Sequence, residues 1–292
     1  MNRRDLIKKI SLGAGALSIG GLVSGFSNLT NFEKQNLLLK GNVNHSVCYW
    51  CYNSIPLDNF AEVCAEIGLK GIDLLGPNEW SIAQKYGLTC SLGTDHFADI
   101  MNGFNNPNNH TYLQKNYTEL ISKAADAGLK QVIVFSGNRN GMDDATGIAN
   151  CAIGLEPLLK LAEKKGITIV MELLNSKVDH KDYHCDHTPW GVRLVDKISS
   201  SNFKLLYDIY HMQIMEGDVI ATIREYHSYI AHYHTGGVPG RHEINDRQEL
   251  NYPAIIKAIV DSGFTGFIAQ EFIPTYPDKL SALKEGILIC DV

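Results

Sequence analysis

The chain has 292 residues, of which 45% are hydrophobic and 20% charged, with 26 Lys+Arg against 32 Asp+Glu. That apolar content excludes a disordered or collagen-like chain, and the length suits one large domain or two small ones. The formal charge of −6 argues against a nucleic-acid partner, which needs a basic face, and no apolar run reaches the ~20 residues of a membrane span.

The first element is Met1–Thr30. Arg3, Arg4, Lys8 and Lys9 precede a mildly apolar, Gly- and Ala-rich stretch from Ile10 to Val23, the charged and apolar regions of an export signal. The paired arginines followed by Asp5-Leu6-Ile7-Lys8 resemble a twin-arginine signal, so the protein is expected to be exported, to a periplasm. Without residues 1–30 the balance is 22 basic against 31 acidic residues, or −9. Residues 31–44 read as a polar leader, and 45–292 as the folded domain. Seven cysteines (48, 51, 64, 90, 151, 185 and 290) suggest neither a disulfide framework nor a Cys-rich zinc site. Cys48-Tyr-Trp-Cys51 has the spacing of a redox motif but lies in an apolar run, so both thiols are expected on a buried strand.

From there short apolar runs alternate with amphipathic stretches. The predicted strands are His45–Tyr52, Gly71–Leu75, Thr89–Gly93, Gln131–Ser136, Thr168–Leu173, Lys204–Asp208, Ile230–His234 and Gly266–Glu271. Each is short and rich in Val, Ile, Leu or aromatics, as strands of a parallel sheet covered on both faces are. Helical spacing marks Leu57–Ile67, Tyr112–Ala127, Gly154–Lys165, Pro253–Ser262 and Lys279–Ile289. Gly68, Gly128, Gly166 and Gly263 follow helix patterns, where glycine takes the left-handed cap at little cost. Thr94–His110, with its Phe-Asn-Asn-Pro-Asn-Asn-His run, reads as a long loop. Eight strand–helix units in ~250 residues match a single-domain α/β protein, a closed (β/α)8 TIM barrel. A doubly wound sheet is the competitor, but no GxGxxG follows an early strand.

In such a barrel the carboxyl ends of the strands build the site. Four successive predicted strands end in Glu172, Asp208, His234 and Glu271. A lone carboxylate there is usually a helix cap; three converging with a histidine would repel one another unless a cation sat among them. This donor set suits one divalent ion, with Mn²⁺, Mg²⁺ or Co²⁺ favoured and Zn²⁺ possible. Beyond these, His211 follows Asp208 by three residues, and Arg241 lies in the Gly-rich segment after the seventh strand. Arg241 can fork onto a carboxylate or hydroxyl-rich ligand. Asn175 and Lys177, past Glu172, and Trp50 and His96, at early strand ends, complete the candidate substrate-binding residues.

The segments Met-Glu-Leu-Leu-Asn-Ser-Lys (171–177), Tyr-Asp-Ile-Tyr-His-Met-Gln (207–213), Gly-Val-Pro-Gly-Arg-His-Glu (237–243) and Gln-Glu-Phe (270–272) resemble the hydroxypyruvate isomerase family. That family belongs to the xylose-isomerase-like TIM barrels and has the ketose 3-epimerases as close relatives. The resemblance runs from about His45 to the C-terminus. It implies a divalent metal held by Glu172, Asp208, His234 and Glu271, with the two glutamates as catalytic acid/base groups. At His234 the chain follows the epimerases, where hydroxypyruvate isomerases often carry Gln. The chemistry open to such a site is proton transfer on a small sugar or hydroxy-oxo acid. The ion polarises a carbonyl and its neighbouring hydroxyl, and carboxylates move a proton through an enediolate. Return of the proton to the neighbouring carbon isomerises; return to the opposite face epimerises. Other readings are a non-catalytic exported sugar-binding barrel and the phosphodiester chemistry of AP endonucleases, which use more metal ligands than are found here. A homo-oligomer is compatible with all of these.

Overall fold

The computed structural model describes residues 38–292; the export-signal expectation and the first half of the polar leader lie outside the described residues. In chain order the elements are β1 (Asn44–Val47), α1 (Leu57–Ile67), β2 (Gly71–Ile72), α2 (Trp80–Lys85), β3 (Thr89–Cys90), α3 (His110–Asp126) and β4 (Gln131–Val134). They continue with α4 (Asp144–Lys165), β5 (Thr168–Leu173), α5 (Thr188–Ile198), β6 (Phe203–Asp208), α6 (Ile209–Met215), α7 (Val219–Tyr226), β7 (Ile230–Thr235), α8 (Tyr252–Asp261), β8 (Phe267–Gln270) and α9 (Lys279–Cys290).

Every ladder is parallel. Six strands run in the order β1-β8-β7-β6-β5-β4, and β2 pairs with β3. Single bridges complete the circle: Cys48 to Asp73 joins β1 to β2, and Gly93 to Val132 joins β3 to β4. At the second junction Gly93 N donates to Gln131 O at 3.0 Å and Ile133 N donates to Gly93 O at 3.0 Å. The expected eight-stranded barrel is thus closed, with edges paired rather than exposed.

Three local differences from the sequence reading bear on function. First, the run expected to continue as a strand to Tyr52 leaves the sheet after Cys48, and Tyr49–Tyr52 form a 3₁₀ turn. Cys51 N donates to Cys48 O at 3.3 Å, and the Tyr52 ring stacks on Phe60 of α1 at 5.0 Å between centroids. This turn swings Trp50 over the rim. Second, α4 begins at Asp144 rather than Gly154. Asp143 caps it by accepting from Thr146 N at 2.9 Å. Its early glycine, Gly147, packs against the buried His184 ring so closely that a Cβ would collide with it. Third, α6 follows β6 without a loop, because Asp208 is both the last strand residue and the helix cap, accepting from His211 N at 3.1 Å. The four glycines expected to end helices all take positive φ: Gly68 at 100°, Gly128 at 82°, Gly166 at 69° and Gly263 at 82°. All seven cysteines are buried free thiols. No helix among the described residues is long and apolar enough to cross a membrane.

Candidate active site

Strands β5 to β8 are neighbours, so their carboxyl ends bring Glu172, Asp208, His234 and Glu271 together. Each offers a ligand atom, and these atoms all lie within 4.8 Å of one another. All four side chains are buried. His234 Nδ1 lies 2.7 Å from Glu271 Oε2 and 3.3 Å from Glu172 Oε1. Among the described residues, neither Nδ1 nor Glu172 Oε1 has a hydrogen-bond partner. Buried polar atoms without partners are costly. Here they face one another across a space bounded by three carboxylates and one imidazole, a donor set that suits a hard or borderline divalent cation.

Arg241 supplies the positive charge within the described chain. Its guanidinium donates to Glu271 Oε2 at 2.6 Å and to Asp208 Oδ2 at 3.2 Å. It lies between the rings of Trp50 and Tyr210, 5.3 and 5.4 Å from their centroids. Arg241 is held in the left-handed region at φ 58°. Hydrogen bonds on both sides impose this conformation: Arg241 N donates to Gly237 O at 2.8 Å, and Arg241 O accepts from Ile273 N at 2.7 Å. A non-glycine residue kept there costs about 1–3 kcal/mol, and such strain collects where function needs the side chain in one place. Trp50 closes the other side by donating from Nε1 to Glu271 Oε1 at 2.8 Å.

Burial and charge set the four groups apart. Burial pushes the Asp208 carboxyl up to about 8 despite Arg241. Burial also raises Glu172, only partly offset by its contact with His234. For Glu271 burial is outweighed by Arg241 and His234, which hold it well below the usual carboxylate range. The two glutamates therefore differ in proton affinity.

His211 is fully buried on the first turn of α6, with Nε2 unpartnered and 3.6 Å from Asp208 Oδ2. Burial, reinforced by Arg241, lowers its proton affinity well below the ordinary value. Asn175 explains the ring's orientation: its amide nitrogen lies 2.6 Å from His211 Nδ1 and donates to Asp179 at 2.7 Å. Both N–H groups are thus spent on protein, and the amide oxygen accepts from Val178 N and Asp179 N at 3.0 and 2.9 Å. Through these contacts Asn175 organises the loop and the His211 ring. Two other expected substrate residues contact protein groups at the surface. Lys177 is exposed and donates to the carbonyls of Ile214 and Met215 at 3.0 and 2.9 Å; its cation caps the carboxyl end of α6. The His96 side chain is 87% exposed and lies 2.6 Å from its neighbour Asp95.

Sequence reading overlooked Asp73 and His232, which lie buried beneath His234 and contact each other at 2.5 Å. Their signal was present as an acid inside the apolar run Gly-Ile-Asp-Leu-Leu and a second histidine two residues before His234. Tyr210 was also overlooked. Its hydroxyl donates to Asp179 at 2.8 Å, and its ring supports Arg241.

A barrel with an acid–imidazole cluster at the carboxyl ends of four consecutive strands defines an α/β-barrel protein with a candidate metal centre. The model of the xylose isomerase-like TIM barrel family matches residues 61–288, and the chain belongs to that family. It is 31% identical over 105 residues to a human putative hydroxypyruvate isomerase, a match covering 36% of this chain and only 38% of that protein. It is 28% identical over 233 residues to the 2-oxo-tetronate isomerase of Cupriavidus necator, covering 75% of this chain and 87% of that enzyme. These names support an isomerase. Among solved structures it resembles an AP endonuclease, family 2, from Brucella melitensis, with TM-score 0.75 and 22% identity over 82% of this chain and 96% of that one. It also resembles an L-ribulose 3-epimerase, with TM-score 0.71 and 15% identity over 85% and 95%. At these identities the structural likeness carries the fold alone.

Proposed function

We propose that this protein is a metal-dependent isomerase of small hydroxy-carbonyl compounds, with hydroxypyruvate-like hydroxy-oxo acids as the substrate class. The observation that carries the reading is the convergence of Glu172, Asp208, His234 and Glu271 at the barrel rim, with buried ligand atoms lacking partners. A divalent cation held by these residues would act as a Lewis acid, drawing charge from the substrate's carbonyl and hydroxyl oxygens. Glu271, kept ionised by Arg241 and His234, is the proton acceptor at the carbon next to the carbonyl. Glu172, raised by burial, is the proton donor at the neighbouring carbon. Trp50 fixes one oxygen of Glu271 and so sets the reach of the other. His211 Nε2 offers a buried, unspent N–H to a substrate hydroxyl, since Asn175 occupies the ring's other nitrogen. Once a cation balances the acids, Arg241 can turn one guanidinium edge to a substrate carboxylate.

Ketose 3-epimerisation is the second reading, favoured by His234 standing where the epimerases carry His; the proton then returns to the same carbon from the opposite face. The test is a metal-loaded screen of hydroxypyruvate, 2-oxo-tetronate and free ketoses in D₂O. Deuterium incorporation with a shifted carbonyl supports isomerisation, and incorporation with inverted configuration supports epimerisation. No incorporation into any of them with Mn²⁺, Mg²⁺ or Co²⁺ refutes both. Export through residues 1–30 is proposed alongside, on the strength of Arg3-Arg4 and the apolar stretch behind them.

A further inference from the structure

The barrel interior below the rim is polar at one level. Asp73, just past β2, is fully buried, and its carboxylate takes hydrogen bonds from several strands. Ser46 of β1 and Ser91, just past β3, donate to Oδ1. On the other oxygen, Oδ2 lies 2.5 Å from His232 Nε2 and 3.2 Å from His234 Nε2. His232 is braced in turn, its Nδ1 lying 2.8 Å from Gln131 Oε1 on β4, while Gln131 Nε2 donates to Ala231 O at 2.9 Å. Ser46, Asp73, Ser91, His232 and His234 are all inaccessible to solvent or nearly so.

This arrangement bears on one ring in particular. An imidazole can turn either nitrogen towards a ligand site, and only an unprotonated nitrogen can ligate. His234 Nε2 faces Asp73 below, and the other polar atom near it is Cys48 Sγ at 3.7 Å. His234 Nδ1 faces Glu172 and Glu271 above, without a hydrogen bond to either. Of the two nitrogens only Nε2 meets a carboxylate with hydrogen-bond geometry; the Glu271 contact at Nδ1, though 2.7 Å long, does not. A carboxylate accepts and cannot donate, so the Asp73 contact favours the tautomer with the proton on Nε2. The lone pair of Nδ1 is then left facing the acids.

We propose that Asp73 is a positioning residue. Clamped by Ser46 and Ser91, it holds the His234 ring with Nε2 protonated and Nδ1 presented to the Glu172–Asp208–Glu271 group, ready to ligate. The proposal rests on the metal reading of the site. Two measurements test it on the folded chain: Mn²⁺ affinity by electron paramagnetic resonance, and the ring-nitrogen resonances of ¹⁵N-histidine-labelled, metal-free protein, followed to a pH at which the His234 ring is neutral. Asp73→Asn should weaken Mn²⁺ binding by about 10–100-fold, the usual effect of removing a partner behind a ligating histidine. It should also convert His234 from the Nε2–H tautomer to a mixture. Unchanged affinity overturns the proposal. So does weaker binding with an unchanged tautomer, which is what a merely structural role would produce. If the unaltered protein binds no Mn²⁺, the metal reading itself fails, and this result is distinct because it needs no variant. Should Asp73→Asn not fold, the Ser46→Ala/Ser91→Ala pair frees the same carboxylate. It should move both readouts in the same direction, and no movement refutes the clamp.

Discussion

Replacing Arg241 by Met keeps an unbranched chain of similar bulk and removes the one cation that donates to both Asp208 and Glu271. The Arg241, Asp208 and Glu271 side chains are 13%, 0% and 4% exposed, so solvent cannot take over the lost pairing. Removing one partner of a buried ion pair costs about 3–5 kcal/mol. The lower end applies here, because burial already favours the protonated form of Asp208 even beside Arg241, so the lost pairing falls mainly on Glu271. At about 2–4 °C per kcal/mol for a domain of this size, a loss near 3 kcal/mol lowers the melting temperature by about 6–12 °C in EDTA. The deficit should shrink towards acid pH. There the carboxyls are neutral in both proteins, and Arg241 has no anion to meet. Saturating Mn²⁺ should close most of the gap: its charge replaces the lost guanidinium on the same oxygens, so the variant binds it more tightly than the unaltered protein, and each tenfold difference in Kd returns about 1.4 kcal/mol. Differential scanning calorimetry of both proteins, with EDTA and with Mn²⁺, reads all of this. An equal deficit with and without metal, or none in EDTA, would refute the view that Arg241 balances the acids that also bind the ion.

Asp208→Ala should remove most bound divalent metal, measured by elemental analysis after gel filtration, because a ligand is lost. Glu172→Gln and Glu271→Gln keep shape and one oxygen but cannot carry a proton, so each should lose about 10²-fold or more in turnover; undiminished deuterium wash-in by both would exclude the two-glutamate mechanism. The seven thiols are buried, and burial raises those of Cys48, Cys51, Cys64, Cys90, Cys151, Cys185 and Cys290. A thiol reagent should therefore count almost none in the native protein and seven in denaturant. Changing Arg3 and Arg4 to Lys should retain the full-length protein in the host cytoplasm by fractionation, whereas a cytoplasmic, full-length unaltered protein would exclude export.

Some of this protein was decided locally and is plain in the chain itself. Strand β5 matches the apolar run Thr168–Leu173 residue for residue, and α1 matches Leu57–Ile67, because burial on both strand faces, or along one helix face, imposes a period that composition displays. The four rim residues were legible for a related reason. In a parallel barrel each strand's carboxyl end is a known place, so Glu172, Asp208, His234 and Glu271 fall on one rim as soon as the strands are counted. Contacts between distant segments have no such period. Trp50 reaches Glu271 only because the chain turns out of β1 early. Asn175 and Lys177 sit just beyond a ligand-type residue, yet one spends its amide on His211 and the other caps α6. Asp73 looked like an isolated acid in an apolar run until closure of the barrel set it beneath His234, 161 residues away. Which atoms meet across a closed sheet depends on register and on side-chain direction, and tertiary packing alone supplies both.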